Sequence, residues 1–414
     1  MALQIANVSN ALKTVILPYI RDNLPKQSIL LDQVKRNSGT TFQNGNFYAP
    51  IRSGRHYGIT NLANDGSTLR SGYSSIGQAT IANKIMTGTF DITKLTLDAT
   101  ETKEGAVQNM LTFQADTLMS DMAKDLNRQF MGDGVGALSQ VIGSVGAGTL
   151  SIKRPDASLD DGRSIDNYGT VNGDLSPSEY LFVGMAIGIG TAGADVGTIS
   201  SITGNTVVVT GAPAIVAEDT IYRVDGDEAG AGTSEITGIR AALSSSTGTS
   251  TYASLARSTV GWTPQIGTTA QALTLSEMES KYLAAKKYAQ TGDKYAIFAA
   301  ITLYKKYGDI LTSMRRSVDS TDLLGGWTGL EFAAGAGKVG VFLDYDVPDG
   351  EVLILNLDTF TIAQVSDLSW SEEPGTGSLL RQVNTLKYQA TMHWFMNLLC
   401  LCPAANGRLT QKTA

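Results

Sequence analysis

From Asp98 to Gly132 apolar side chains return every three or four positions, at Val107, Met110, Leu111, Ala115, Leu118, Met122, Leu126 and Phe130. That spacing lines them along one stripe of an α-helix. Asp121, Lys124, Asp125 and Arg128 fall on the polar side. Asp98 is placed to cap the start, with Glu101 three residues on as in a capping box, and Gly132 and Gly134 supply the backbone freedom a helix end favours. At 1.5 Å per residue the element is roughly 50 Å long, enough to span a domain. Gly105 costs about 1 kcal/mol relative to alanine, so a bend there or a later start is expected. Phe113 lies almost opposite the stripe. It is either an exposed aromatic or, on the sharper reading, a second contact face covered by another segment or subunit.

Around this helix the pattern changes several times. Ile5, Val8, Leu12, Val15, Ile16 and Tyr19 sit at helical spacing, with breaks at Pro18 and Pro25, and an extended segment follows to about Thr41. From Asn46 to Leu97 two strand-like runs flank a Gly-, Ser- and Asn-rich tip, which predicts one long hairpin with too few large apolar residues for its own core. A loop-rich tract leads from GDGVGAL to about Leu175, and Tyr180 to Val224 reads as short strands, a small sheet or barrel inserted into a larger domain. Residues from Gly226 to Gly267 are again rich in Ser, Thr and Gly. The run LTLSEMESKYLAAKKYAQTG predicts a helix capped by Thr274, with Glu277 three on, and stopped at Gly292. Strand, helix through about Met314, a Gly-rich excursion LLGGWTGLEFAAGAGK and two strands joined at Pro348 and Asp349 then mark an α/β unit. The last strands, SLLRQVNTLKYQATMHWFMNLLCLC, are expected to return to the first domain.

Composition narrows the function. Of 414 residues, 42% are hydrophobic and 17% charged, which excludes general disorder. A net charge of -7 makes the chain a poor candidate for gripping nucleic acid. The N-terminus lacks the pattern of a secretory signal, and the apolar run Leu398 to Cys402 is too short to span a membrane, so a soluble product retained where it is made is expected. Two cysteines and two histidines leave little for a metal cage or disulfide framework; Cys400 and Cys402 read as reduced core residues. Gly188, Gly190 and Gly193 match a dinucleotide fingerprint in letters, but strand and turn follow where a helix is required. GAGK at Gly335 to Lys338 lacks the rest of a P-loop. His56 and His393 have no nucleophile motif beside them, and Asp344 and Asp346 read as a strand end before a turn. No catalytic, cofactor-binding or metal residue is assigned. Charge is uneven, however: residues 1–98 carry +5 and the remainder -12. A basic arm and hairpin, with Arg52, Arg55 and Arg70, are therefore expected to dock on an acidic neighbour.

The order of these elements resembles the Hong Kong 97-type major capsid proteins of tailed bacteriophages. The residues that carry the likeness are Gly132-Asp133-Gly134 after Phe130, EITGIRAAL at Glu235 to Leu243, YASLARSTVGW ending at Trp262, the run from Leu273 to Ala300, and DVPDGEVLILNLDTF at Asp346 to Phe360. The resemblance implies an α+β capsid fold: an N-terminal arm (1–45), an extended loop (46–97), a peripheral domain (98–175) with its spine helix at 98–131, an inserted β domain (176–226), a peripheral linker (227–272), an axial domain (273–370) and return strands (371–414). It also implies a non-enzymatic shell protein that assembles with itself into pentamers and hexamers of an icosahedral head. Portal, scaffolding and decoration proteins are the implied partners, and packaged DNA is held without sequence-specific binding and without a membrane. The loop near Leu323 to Gly337, with Trp327, would face capsomer axes; some relatives cross-link through a loop lysine, whereas this tip carries Arg70. The implied location is the virion, with assembly in the bacterial cytoplasm. An encapsulin-like compartment and a β-rich surface or tail binding module are the alternative readings.

Overall fold

The structure is a computed structural model that describes residues 17–23, 28–37, 40–59, 61, 71–95, 104–143, 148–153, 178–190, 195–211, 219–224, 235–244, 250–289, 294–313, 320–323, 327–334, 337–348, 350–372, 379–382 and 384–413. In chain order it begins with helices α1 (Leu17–Asn23) and α2 (Ile29–Gln33) and strands β1 (Lys35–Arg36), β2 (Thr41–Gln43), β3 (Asn46–Arg52), β4 (Ile76–Ala82) and β5 (Lys84–Thr93). The long helix α3 (Glu104–Met131) follows, and then β6 (Ala137–Gly143), β7 (Thr149–Lys153), β8 (Ala186–Ile189), β9 (Asp195–Thr203), β10 (Thr206–Thr210) and β11 (Thr220–Arg223). Next come α4 (Ile239–Ala242), β12 (Thr251–Tyr252), β13 (Leu255–Ala256), β14 (Gln265–Gly267), β15 (Gln271–Ala272), α5 (Leu275–Lys286), β16 (Tyr295–Ala299) and α6 (Ile301–Ser313). The chain ends with β17 (Ser320–Leu323), β18 (Trp327–Ala334), β19 (Gly337–Leu343), β20 (Val352–Asn356), β21 (Phe360–Gln364), β22 (Ser369–Trp370), β23 (Leu379–Arg381), β24 (Lys387–Cys400), β25 (Gly407–Leu409) and β26 (Lys412–Thr413).

Two cores share one sheet. In the seven-stranded sheet β14-β25-β20-β16-β19-β18-β17, β16 is buried along its whole length. Ile297, Val341 and Ile354 pack under α5 and α6 with Met278, Tyr282, Leu303 and Tyr307. Successive strand side chains point to opposite faces, so Phe298, Phe342 and Leu353 instead join the larger core. There Ala115, Met119, Met122, Leu126 and Phe130 of α3 meet a second, six-stranded sheet in which β24 pairs with β21, β22, β23 and β5. The helix stripe is rotated slightly from the expected one: Met119 and Ala123 are buried, and Leu118 is only half-buried. The expected cap at Asp98 and Glu101 lies outside the described residues. Thr274 does cap α5, its Oγ1 accepting from the Glu277 amide at 3.4 Å.

Several boundaries differ from those read in the sequence. The second arm of the long hairpin divides at Asn83: β4 pairs with β3, whereas β5 pairs with β24 from Lys84↔Met396 to Thr93↔Lys387. At the point where the strand changes sheets, Asn397 Nδ2 donates to the Ala82 carbonyl at 2.6 Å. The hairpin also gains a third strand from the arm, since Asn44 and Gly45, both at positive φ, turn β2 back onto β3. The barrel, closed in the order β10-β7-β6-β11-β8-β9, takes β6 and β7 from upstream of the expected start at 176. Its apolar interior (Leu138, Val141, Leu150, Ile152, Ile187, Val207, Ile221) closes only with those two strands present. The expected linker at 227–272 is core: Trp262 is buried and donates Nε1 to the Tyr252 carbonyl at 2.9 Å, while β14 joins the seven-stranded sheet. Finally, β25 leaves the return strands to pair with β20 and β14, so the last segment rejoins the α/β unit.

Candidate assembly surfaces

Beyond the three-stranded sheet β2-β3-β4, whose Phe47, Ala49, Ile51, Ala79 and Ile81 join the larger core, the hairpin continues as a two-stranded ribbon. Beyond β3 and β4 its arms stay together through a Ser53–Ser75 hydroxyl bond of 2.8 Å and an edge-on Tyr57–Tyr73 contact with ring centroids 6.4 Å apart. At Gly72 a Cβ would lie 2.2 Å from the Gly58 amide nitrogen, so glycine is what lets the arms close. Tyr57, Ile59, Tyr73 and Ile76 are exposed, Tyr73 and Ile76 at 75% each. A thin ribbon showing that much apolar surface is stabilised when another surface covers it.

A polar junction gathers four distant parts of the chain around Asn127 of α3. Ser28 donates to Asn127 Oδ1 at 2.6 Å, and Asn127 Nδ2 donates to Asp344 Oδ1 at 3.1 Å and Asp346 Oδ2 at 2.7 Å. Tyr180, at the entry to β8, donates its hydroxyl to Asp346 Oδ1 at 2.5 Å. Burial and the Asp346 carboxylate push the Tyr180 phenol well above its ordinary range. One helical position on, Arg128 bonds Asp125 at 2.9 Å and Glu235 at 2.5 Å, and its guanidinium lies over the Tyr180 ring at 5.5 Å. Arg223, the last residue of β11, reaches Asp125 at 3.3 Å. Burial alone would raise the Asp125 carboxyl, but Arg128 and Arg223 outweigh it and hold it below its ordinary value. The barrel is thus pinned at both ends to α3 and to the end of β19. A second buried cluster joins the turn after α3 to the seven-stranded sheet: Glu351 is held by Arg408 and by Arg240 at 3.4 Å, and Arg240 reaches Asp133 at 3.9 Å.

Neither the family models nor the curated proteins compared with this sequence give a match. Solved structures do. The capsid of cyanophage A-1(L) superposes on this chain with a TM-score of 0.52 at 12% identity, covering 94% of this chain and 93% of that one. The chain has the Hong Kong 97-type capsid fold. An encapsulin from Synechococcus elongatus PCC 7942, in its holo-SrpI complex, matches at TM-score 0.47 and 10% identity over 100% of this chain and 97% of that one. The capsid of a native GTA particle matches at 0.44 and 10% over 94% and 91%.

On this capsid fold the residues singled out in the sequence do not converge. Arg52 and Arg55 are exposed on the hairpin, where Arg52 Nε donates to the Gly54 carbonyl at 3.1 Å; Arg70 lies outside the described residues. Phe113 is 66% exposed on α3. Trp327 opens β18, in register with Leu323 of β17 at the edge of the seven-stranded sheet. The basic arm needs correction. Lys35 pairs with Asp358 at 2.8 Å, Arg36 with Asp367 at 3.1 Å, and Arg21 Nε donates to the Leu368 carbonyl at 2.8 Å. These cations are engaged within their own subunit because β1 adds in parallel to β21, so the arm reaches its own body. The junction residues Asn127, Asp344, Asp346 and Tyr180 were missed as a group. A polar asparagine among the buried positions near the end of α3 was the available signal.

Proposed function

We propose that this chain is the major capsid protein of a tailed bacteriophage, a non-enzymatic subunit that assembles into the icosahedral shell enclosing the genome. The observation that carries the reading is the exposed apolar ribbon at the outer end of the hairpin, on a chain with the Hong Kong 97-type capsid fold. In this reading α3 is the spine of a peripheral domain, the seven-stranded sheet with α5 and α6 is the axial domain, and the barrel is an insertion in the peripheral domain. The hairpin is the extended loop, which spends its apolar surface on other subunits, and β17, β18 and Trp327 line capsomer axes. Arg52, Arg55 and Arg70 add a salt-sensitive component, each exposed pair contributing only about 0.2 to 1 kcal/mol. Pentamers and hexamers, portal, scaffolding and decoration partners, DNA held without sequence preference and assembly in the host cytoplasm belong to the same reading. A net charge of -7 suits a wall that must not grip the DNA it encloses. Sedimentation velocity of the purified protein tests the proposal. It predicts a boundary of closed many-subunit particles; a boundary confined to single subunits under all salt and crowding conditions contradicts it.

A further inference from the structure

Among the described residues, neither a shared sheet nor a shared apolar core joins the barrel to the rest of the subunit. Its six strands close on one another, and none of residues 137–223 belongs to either of the other two cores. The contacts that seat it are polar. Tyr180, which packs against the barrel core, donates to Asp346 beyond β19 at 2.5 Å, and Arg223 of β11 reaches Asp125 of α3 at 3.3 Å. Arg128 holds that same Asp125 at 2.9 Å, lies over the Tyr180 ring at 5.5 Å, and bonds Glu235 at 2.5 Å where the chain has returned from the barrel. On the outgoing side the chain crosses at Gly134 and Gly136, both at positive φ (+84° and +81°), a backbone that favours glycine.

We propose that the barrel is a rigid module held on the body by a polar latch centred on Arg128, and that it leaves this seat without unfolding. A polar interface between two units of one chain makes relative motion the default. The barrel carries its own core and pairs its own strands, so release leaves its interior intact. The groups uncovered at the seat, Tyr180, Asp346, Arg223 and Asp125, are ones that water solvates, so the ties exchange protein partners for water. Arg223, with 35% of its side chain exposed, is the tie most open to screening by salt. The two glycines at the crossing provide the pivot, small residues at an element's end being suited to absorb such a change. The latch is a property of the single subunit and does not depend on the shell reading. Within that reading it lets one chain meet the unlike surroundings of pentamers and hexamers by moving the barrel and keeping its cores.

The test measures distances between spin labels by pulsed electron resonance in unassembled full-length subunits. One label is placed at Thr203→Cys, exposed at the end of β9, and the other at Asp121→Cys, exposed on α3; Cys402 is replaced by serine, and Cys400 is buried. Thr206→Cys with Lys124→Cys forms a second pair, so that one poorly folded variant does not decide the result. The expected result is one narrow distance at low salt and a growing second population as the screening length falls from about 10 Å at 0.1 M to about 3 Å at 1 M. Arg223→Gln should show the second population already at the lower salt and respond little to more. Tyr180→Phe added to it should enlarge that population further, while the barrel amides of Leu150, Val207 and Ile221 stay slow in hydrogen exchange. An unchanged narrow distance in the double variant at high salt overturns the latch. Fast exchange of those amides in the double variant overturns it too, because release would then be unfolding. Since single subunits are measured, absence of particles bears on the shell reading alone.

Discussion

The Gly132 carbonyl oxygen lies where a side chain on Gly238 would begin: a Cβ there would come within 2.1 Å of it and within 2.5 Å of the Gln129 carbonyl. The Arg240 amide donates to the same Gly132 oxygen at 3.1 Å, and Gly134, at φ +84°, lies against Ile236 and Thr237. Two short sequence motifs about a hundred residues apart, GDG and EITGIRAAL, are therefore the two halves of one backbone contact.

Gly238→Ala should consequently destabilise the folded subunit by about 1 to 3 kcal/mol or more, because the obstructing atoms are backbone. Gly308→Ala in α6 is the control: a Cβ there meets nothing within 4 Å, so relief of the glycine penalty should stabilise by up to about 1 kcal/mol. Urea midpoints of the two variants, measured on unassembled subunits, should move in opposite directions.

The faces of α3 separate folding from assembly. Leu126 is fully buried, so Leu126→Ala should cost about 2 to 5 kcal/mol in urea unfolding. Phe113→Ala should stay within about 0.5 kcal/mol of the unsubstituted subunit and yet reduce particle yield. The reverse ranking would mean that Phe113 packs inside its own subunit.

Acid should act through Asp125. Its folded carboxyl is held below the ordinary value, so its contribution is complete above the unfolded carboxylate value of about 3.9 and is lost as pH falls through the lower folded value. Stability measured from pH 6 to pH 2 should show this acid loss, and Asp125→Asn should flatten it while lowering stability at neutral pH. Cys400 behaves oppositely at high pH: burial pushes its thiol up to about 12, so iodoacetamide should leave it unmodified at pH 8.5 until urea opens the core.

The corrected extent of the barrel gives a deletion test. Replacing only 180–224 strands β6 and β7, whose inward residues Leu138, Val141, Leu150 and Ile152 would lose their partners, and should give insoluble protein. Replacing 136–224 with a short Gly/Ser linker removes the barrel whole and should leave a soluble subunit, read by gel filtration and circular dichroism.

What the sequence made legible follows from the range of the forces involved. α3 and α5 could be read because periodicity, and for α5 the Thr274 cap, act over three or four residues. Phe113 could be read as lying off the apolar stripe for the same reason, and it is exposed on the single subunit. The division of the hairpin at Asn83 meets Asn397 from a distant strand, and the junction joins Asn127 to Asp344 across 217 residues; local pattern carries no trace of either partner. β6 and β7 were hidden in a loop-rich tract because a strand of five to seven residues shows only two or three alternations, too few to stand out. The basic arm misled through its net charge, which says nothing about whether Lys35 and Arg36 find their carboxylates at home.

Electron cryo-microscopy of the purified, self-associated protein tests the central claim most directly. The account predicts closed icosahedral particles built of pentamers and hexamers, with each hairpin lying on a neighbouring subunit so that Tyr73 and Ile76 are covered. Subunits that remain single, or ordered particles in which the hairpin folds back on its own subunit, would contradict it.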